Sequence, residues 1–194
     1  MKVLIACEYS GKVREAFRKR GHDAYSCDLL EPDDDSPHHY RGDCWDVIDL
    51  GWDLIIMHPP CTALAVSGNA HYGYGMKRHG ERLKAIEWTL SLYAHAKENA
   101  PRVAMENPVG VLPIKASQYV QPYQFGHSES KKTGLWLHNL PELTSTNTLP
   151  RPDCGYWDNQ TPSGQNKLGP SADRWKIRSE TYQGIADAMA DQWG

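Results

Sequence analysis

The sequence lacks any apolar run of membrane-spanning length, so a spanning helix is not expected. Its five cysteines (Cys7, Cys27, Cys44, Cys61 and Cys154) are odd in number and form no C-x-x-C pair. That pattern argues against both a disulfide framework and a zinc ribbon. The histidines show neither H-x-x-x-H nor H-E-x-x-H spacing, so no metal site is expected. No G-x-G-x-x-G and no Walker lysine are present, which removes the commonest dinucleotide and P-loop signatures. No internal repeat is evident. The opening residues are too short an apolar stretch for a secretory signal, and a cytoplasmic location is the expectation. A net charge of −3 neither demands nor excludes nucleic acid; a nucleic-acid enzyme of this charge must gather its basic residues on one face.

What is present is a globular pattern. The chain has 194 residues, of which 40% are hydrophobic, enough for one domain with a sizeable core. Residues 2–7 read as a short buried strand, 9–11 as a turn, and 12–20 as a helix with Val13, Ala16 and Phe17 on one face, closed by Gly21. A second strand covers about 23–27. Residues 31–41 are acidic and His-containing and read as loop, with a third strand beginning near Gly42-Asp43. Residues 52–57 are a fourth strand. Residues 63–80 read as a long Gly-, Tyr- and His-rich loop. A helix over 81–99 carries a stripe of Leu83, Ile86, Leu90 and Tyr93. A fifth strand covers 102–105, a further one 134–137, and a last helix about 181–192 has Tyr182, Ile185, Met189 and Trp193 at helical spacing. Strands alternating with helices predict an α/β fold, a mostly parallel sheet with helices on both faces.

Ligands of such sheets bind beyond the carboxyl ends of the strands. Glu8, Asp28, Cys61 and Glu106 each directly follow a predicted strand. The most loaded stretch is Asp53-Leu54-Ile55-Ile56-Met57-His58-Pro59-Pro60-Cys61. Its prolines end the apolar run and stiffen the backbone that presents Cys61. A structural buried cysteine would more naturally lie within 54–57. Tyr9-Ser10-Gly11 either receives part of a nucleotide-like cofactor on backbone N–H groups or is an ordinary strand-to-helix turn. Asp28 suits ribose hydroxyls or a helix cap. Asp43 suits an adenine amino group or a turn. Glu106, in Glu106-Asn107-Pro108, is expected to be partly buried, which raises a carboxyl pKa and lets it donate a proton near neutral pH; a strand-end salt bridge is the alternative. A thiolate with a proton-donating carboxyl can add to an electron-poor ring carbon while the ring nitrogen is stabilised.

Pro59-Pro60-Cys61 followed by Glu106-Asn107-Pro108, after a Tyr-Ser-Gly turn, resembles the cytosine carbon-5 DNA methyltransferases. The resemblance implies a Rossmann-like S-adenosylmethionine-dependent methyltransferase fold. It implies Cys61 as the nucleophile on cytosine carbon 6 and Glu106 as the group supporting ring nitrogen 3 and the exocyclic amine. It implies cofactor contacts from Glu8, Tyr9, Ser10, Gly11, Asp28, Asp43, Pro59 and Thr181. Substrate contacts would come from Pro60, Ser67, Asn107, Lys132 and Arg178. Related amino-methylating enzymes carry an aromatic residue after the paired prolines, so Cys61 selects ring-carbon chemistry. Tyr123-Gln124-Phe125-Gly126-His127, the Lys132-to-Leu137 run and Arg178-Ser179-Glu180-Thr181-Tyr182 are similar to small phage-type cytosine methyltransferase-like proteins.

The sequence also departs from that family. Glu8-Tyr9-Ser10-Gly11 lacks Gly-x-Gly, His58 stands where glycine usually precedes the prolines, and no Gln-x-Arg-x-Arg is found, Lys131 and Lys132 being the nearest basic residues. The expected organisation is a catalytic core over 1–142, a short target-recognition insert over 143–175, and a C-terminal helix over 176–194 completing the core. In the insert, Trp157, Asn159, Gln165, Asn166, Lys167 and Arg174 could contact DNA, or form a solvated loop packed by Trp157 and Trp175. Tyr72, Tyr74, Lys77, Arg78 and His79 suit stacking and phosphate contact around an extruded base. The implied partner is cytosine-containing DNA. The same chemistry on a free pyrimidine nucleotide, and a non-catalytic nucleic-acid- or partner-binding protein that keeps the fold, are the alternatives.

Overall fold

A computed structural model describes residues 1–171 and 174–194. Seven strands form one sheet: β1 (Lys2–Ala6), β2 (Asp23–Asp28), β3 (His39–Arg41), β4 (Leu54–Met57), β5 (Val103–Pro108), β6 (Gln118–Val120) and β7 (Thr133–His138). Their order is β3-β2-β1-β4-β5-β7-β6. The first five are mutually parallel, and β7 pairs antiparallel with both β5 and β6. The helices are α1 (Lys12–Lys19), α2 (Asn69–Tyr72), α3 (His79–Asn99), α4 (Arg174–Ser179) and α5 (Gln183–Trp193). No described helix is long and apolar enough to cross a membrane.

The central strands read Val-Leu-Ile-Ala and Leu-Ile-Ile-Met because both faces of the sheet are covered. Val3, Ile5, Leu54 and Ile56 pack with α1 and α5 on one face; Leu4, Ile55, Met57 and Met105 pack with Leu92, Tyr93 and Ala96 of α3 on the other. Ile185, Met189 and Trp193 are buried as their spacing predicts. The α3 stripe is shifted. Its buried face is Arg82, Thr89, Leu92, Tyr93 and Ala96, while Leu83 is exposed. Apolar residues are spread around this helix, so the fixed point is Arg82, which donates to the carbonyls of Ala63 (2.7 Å) and Ala65 (3.3 Å) and to Asn69 Oδ1 (2.8 Å).

Other boundaries also differ from expectation. The third strand lies at His39–Arg41, inside the stretch read as loop. Residues 63–80 contain a 3₁₀ turn at Val66–Gly68 and the short α2, not a plain loop. Most consequentially, β5 continues through Glu106 and Asn107, whose pairing with Leu135 and Gly134 holds both side chains in a strand.

The chain leaves β1 toward β2 and β3 on one side, then returns to β4 on the other. This reversal opens a crevice at the carboxyl ends of β1 and β4, the place where doubly wound sheets bind ligands.

Candidate active site

A cleft occupies that crevice. Of the residues singled out by sequence, Glu8, Tyr9, Ser10, Pro59, Pro60, Cys61, Glu106, Arg178 and Thr181 line it. Cys7, His58, Pro108, Lys131, Ser179 and Glu180 complete the lining. Gly11, Asp28, Asp43, Ser67, Asn107 and Lys132 are not among its walls.

The turn after β1 shapes one wall. Gly11 has φ +69°, and a Cβ there would meet Arg14 Nη2 at 2.2 Å, so both conformation and space require glycine. Glu8 is buried, and its two carboxylate oxygens accept the backbone N–H groups of Val13 (2.7 Å) and Arg14 (3.2 Å). It thus does the work of an absent N-cap side chain on α1. Burial pushes its carboxyl up from the ordinary value, against the opposing charge of His58 and these N–H bonds. Arg14, itself buried, donates to Ser26 Oγ at 2.7 Å and pairs with Asp34.

Cys61 is held on a braced loop. Asn107, 1% exposed, donates from Nδ2 to the Pro59 carbonyl at 2.9 Å. The Cys61 carbonyl accepts the N–H groups of Leu64 (3.0 Å) and Ala65 (2.8 Å), and the Leu64 carbonyl accepts that of Val111 at 3.0 Å. Asn107 therefore sits beneath the Pro59–Cys61 loop and does not line the cleft as a substrate contact would. Cys61 is partly exposed. Burial pushes its thiol up, as does the Glu106 charge, while Lys131 and Arg178 pull it down.

Glu106 departs from expectation. Burial raises its carboxyl, but the hydrogen bond with His58 and the charge of Lys131 outweigh that, leaving it below the ordinary carboxylate value. Its Oε2 lies 3.3 Å from His58 Nδ1, with the two side chains 15% and 8% exposed. Nothing in the residue pattern signalled this pair beyond the unusual histidine before the prolines. Lys131, not Lys132, faces the cleft; its Nζ donates to the carbonyls of Arg178 (2.8 Å) and Glu180 (3.4 Å), whereas Lys132 lies over the Tyr119 ring at 4.5 Å.

The C-terminal segment closes the front. Tyr9 Oη donates to the Lys176 carbonyl at 2.8 Å and lies 2.9 Å from Ser179 Oγ, and Lys12 pairs with Glu180 at 2.6 Å. His127 Nε2 accepts the Gly184 N–H at 3.0 Å, so the 123–127 motif anchors the start of α5.

The remaining candidates have other commitments. Asp28, half-buried at the end of β2, accepts the Leu30 N–H at 3.0 Å, and burial raises its carboxyl. Exposed Asp43 accepts the Trp45 N–H at 3.1 Å, capping a 3₁₀ turn. Ser67 is exposed on its own turn. Tyr72 is buried under the Arg78 guanidinium, while Tyr74 is 93% exposed. In the insert, Leu143 belongs to the core, Trp157 stacks on Tyr123 (4.5 Å between centroids), and Asn159 bonds Ser130. Trp175 lies in the first turn of α4, against Tyr9. Among the described residues there is no cluster suited to a metal ion.

No family model matches the chain, and no curated protein matches it significantly. Among solved structures, it is similar to a protein encoded within an E. coli prophage and described as a DNA modification methyltransferase. The TM-score is 0.53 at 13% identity, over 77% of this chain and 52% of that one. The S. pombe Dnmt2 methyltransferase gives a TM-score of 0.47 at 15% identity, over 73% of this chain and 51% of that one. The chain thus spans about half the length of these neighbours. The likeness to the prophage protein, with the seven-stranded sheet, identifies the fold as Rossmann-like, of the S-adenosylmethionine-dependent methyltransferase type.

Proposed function

We propose that the chain methylates cytosine at ring carbon 5 in DNA, using S-adenosylmethionine and a covalent adduct on Cys61. The observation that carries this reading is the meeting of Cys61 and Glu106, from loop and strand, in one cleft beside the Tyr9-Ser10 turn. The residues fit the cofactor. The cleft lies at the switch point of the sheet, a buried imidazole nitrogen in its wall has no protein partner, and hydroxyl, phenol and acidic side chains surround it. Tyr9, Ser10, Pro59 and Thr181 would hold it, with Asp28 toward its ribose; Glu8 would act by fixing the turn. The bound cofactor supplies an electrophilic methyl group.

Cytosine carbon 5 is a weak nucleophile. Bonding of the Cys61 thiolate to carbon 6, with Glu106 stabilising ring nitrogen 3 and the exocyclic amine, makes carbon 5 enamine-like. After methyl transfer, loss of the carbon-5 proton expels the thiolate. Lys131 and Arg178 favour the thiolate that starts this sequence. DNA as substrate is supported by the prophage neighbour, described as a DNA modification methyltransferase, and by the exposed Tyr74, three residues before Lys77, which suit an extruded base. The same chemistry on a free pyrimidine nucleotide is the second reading, which the test below separates from the first.

The test incubates the protein with labelled S-adenosylmethionine and 5-fluorocytosine DNA, or with the 5-fluorodeoxycytidine nucleotide. Fluorine cannot leave as a proton does, so the adduct persists. An adduct mapped to Cys61 on DNA is the expected result, and Cys61→Ser should abolish it while leaving cofactor binding near normal. An adduct on the nucleotide alone selects the second reading. No adduct on either overturns both and leaves a binding protein.

A further inference from the structure

We propose that His58, in its doubly protonated form, is the proton source for Glu106 and so a positioning and relay residue of the reaction. The inference rests on the pyrimidine chemistry above. That chemistry needs a proton at ring nitrogen 3, yet Glu106 stands as an acceptor carboxylate, bonded through Oε2 to His58 Nδ1 at 3.3 Å. Among the described residues, His58 is its hydrogen-bonded neighbour with a proton it can surrender. Lys131 Nζ is committed to the carbonyls of Arg178 and Glu180.

The setting of the imidazole supports the role. His58 is 8% exposed, lies between two acidic groups, and lines the cleft. An ordinary structural histidine has its second nitrogen satisfied. His58 Nε2 is buried without a partner, and Glu8, its acidic neighbour, has given both oxygens to α1. The ionisable groups sharing the cleft are Cys7, Glu8 and Tyr9 after β1, Cys61 after β4, Glu106 on β5, Lys131 before β7, and Arg178 and Glu180 around the end of α4.

The step balances. The Nδ1–H bond of His58 breaks, its electron pair stays on the imidazole, and the proton passes to Glu106 Oε2. As a Cys61 sulfur lone pair forms the bond to carbon 6, the ring π electrons shift toward nitrogen 3, which takes the proton from Glu106. Expulsion of the thiolate returns that proton along the same path, so His58 ends as it began. The proton lost from carbon 5 leaves separately to solvent.

His58→Gln keeps a hydrogen-bond donor and removes the transferable proton. Single-turnover methyl transfer should fall about 100-fold at about pH 6. In the wild type the rate, divided by the Cys61 thiolate fraction that iodoacetamide alkylation reads at each pH, should decline as pH rises through the imidazole range, about pH 6 to 8. The variant should lose this limb, with KM for DNA changed less than about twofold, which a merely structural lesion would not produce. Independently of activity, the ¹³C-labelled Glu106 carboxyl should titrate higher in His58→Gln than in the wild type. A wild-type rate per Cys61 thiolate that is flat through the imidazole range overturns the proposal even if the variant does not fold. An identical Glu106 titration in both proteins overturns it as well. If the titration moves but the wild type forms no Cys61 adduct, the His58–Glu106 pair stands and the pyrimidine reading, with the relay built on it, is what falls.

Discussion

Replacing Asn107 by alanine tests whether the Pro59–Cys61 loop is braced from beneath. Asn107 is buried, donates to the Pro59 carbonyl at 2.9 Å, and leaves its own Oδ1 without a partner, so it acts through its donor alone. Its removal strands a buried carbonyl, which costs about 1–3 kcal/mol, and the vacated volume adds to the loss. A total of about 2–3 kcal/mol lowers Tm by about 4–12 °C in a chain of this size. Asn107→Asp separates hydrogen bonding from volume. At about pH 8 an aspartate either faces the carbonyl with a second acceptor or costs free energy to protonate. It should therefore lose at least as much as alanine. Calorimetry reads the stability, and alkylation of Cys61 by iodoacetamide at one pH, followed by mass spectrometry, reads the loop. Alkylation should be faster in both variants. An aspartate variant as stable as the wild type, with Cys61 alkylated at the wild-type rate, refutes the reasoning.

Glu106→Gln should act in two directions. Methyl transfer falls about 100-fold, while Cys61 alkylation at fixed pH speeds up, because burial and then the Glu106 charge hold the thiol up; unchanged alkylation would show the two groups too far apart to interact. Glu106 lies below its ordinary value, so its contribution to stability is present above the unfolded carboxyl value and lost as pH falls through the folded one. The stability difference between the wild type and Glu106→Gln should shrink on acidification in thermal melts, and growth of that difference would reverse the assigned sign. Gly11→Ala combines a positive φ with a contact on Arg14 and should cost more than about 1 kcal/mol, a Tm loss of more than about 2 °C; a neutral substitution would contradict the turn geometry.

The sheet was legible where burial is two-sided. Residues 3–6 and 54–57 are continuous apolar runs that only a covered central strand needs. The α5 stripe was legible because Ile185, Met189 and Trp193 stand apart from polar neighbours. The α3 face was not, since apolar residues surround that helix and a buried Arg82 sets its rotation. β3, β6 and α4 have three, three and six residues, too few to establish a period.

The sequence alone determined that Cys61 and Glu106 would stand near strand ends, because parallel strands buried side by side bring their carboxyl ends to one edge. Tertiary structure decided the rest. The path of the chain into β7 turned Lys131 to the cleft and laid Lys132 over the Tyr119 ring. The adjacency of β4 and β5 set His58 against Glu106, and that contact reversed the direction in which burial alone would have moved the carboxyl. Burial of a side chain can be anticipated from its neighbours in sequence; the sign of its charge balance depends on neighbours that only folding supplies.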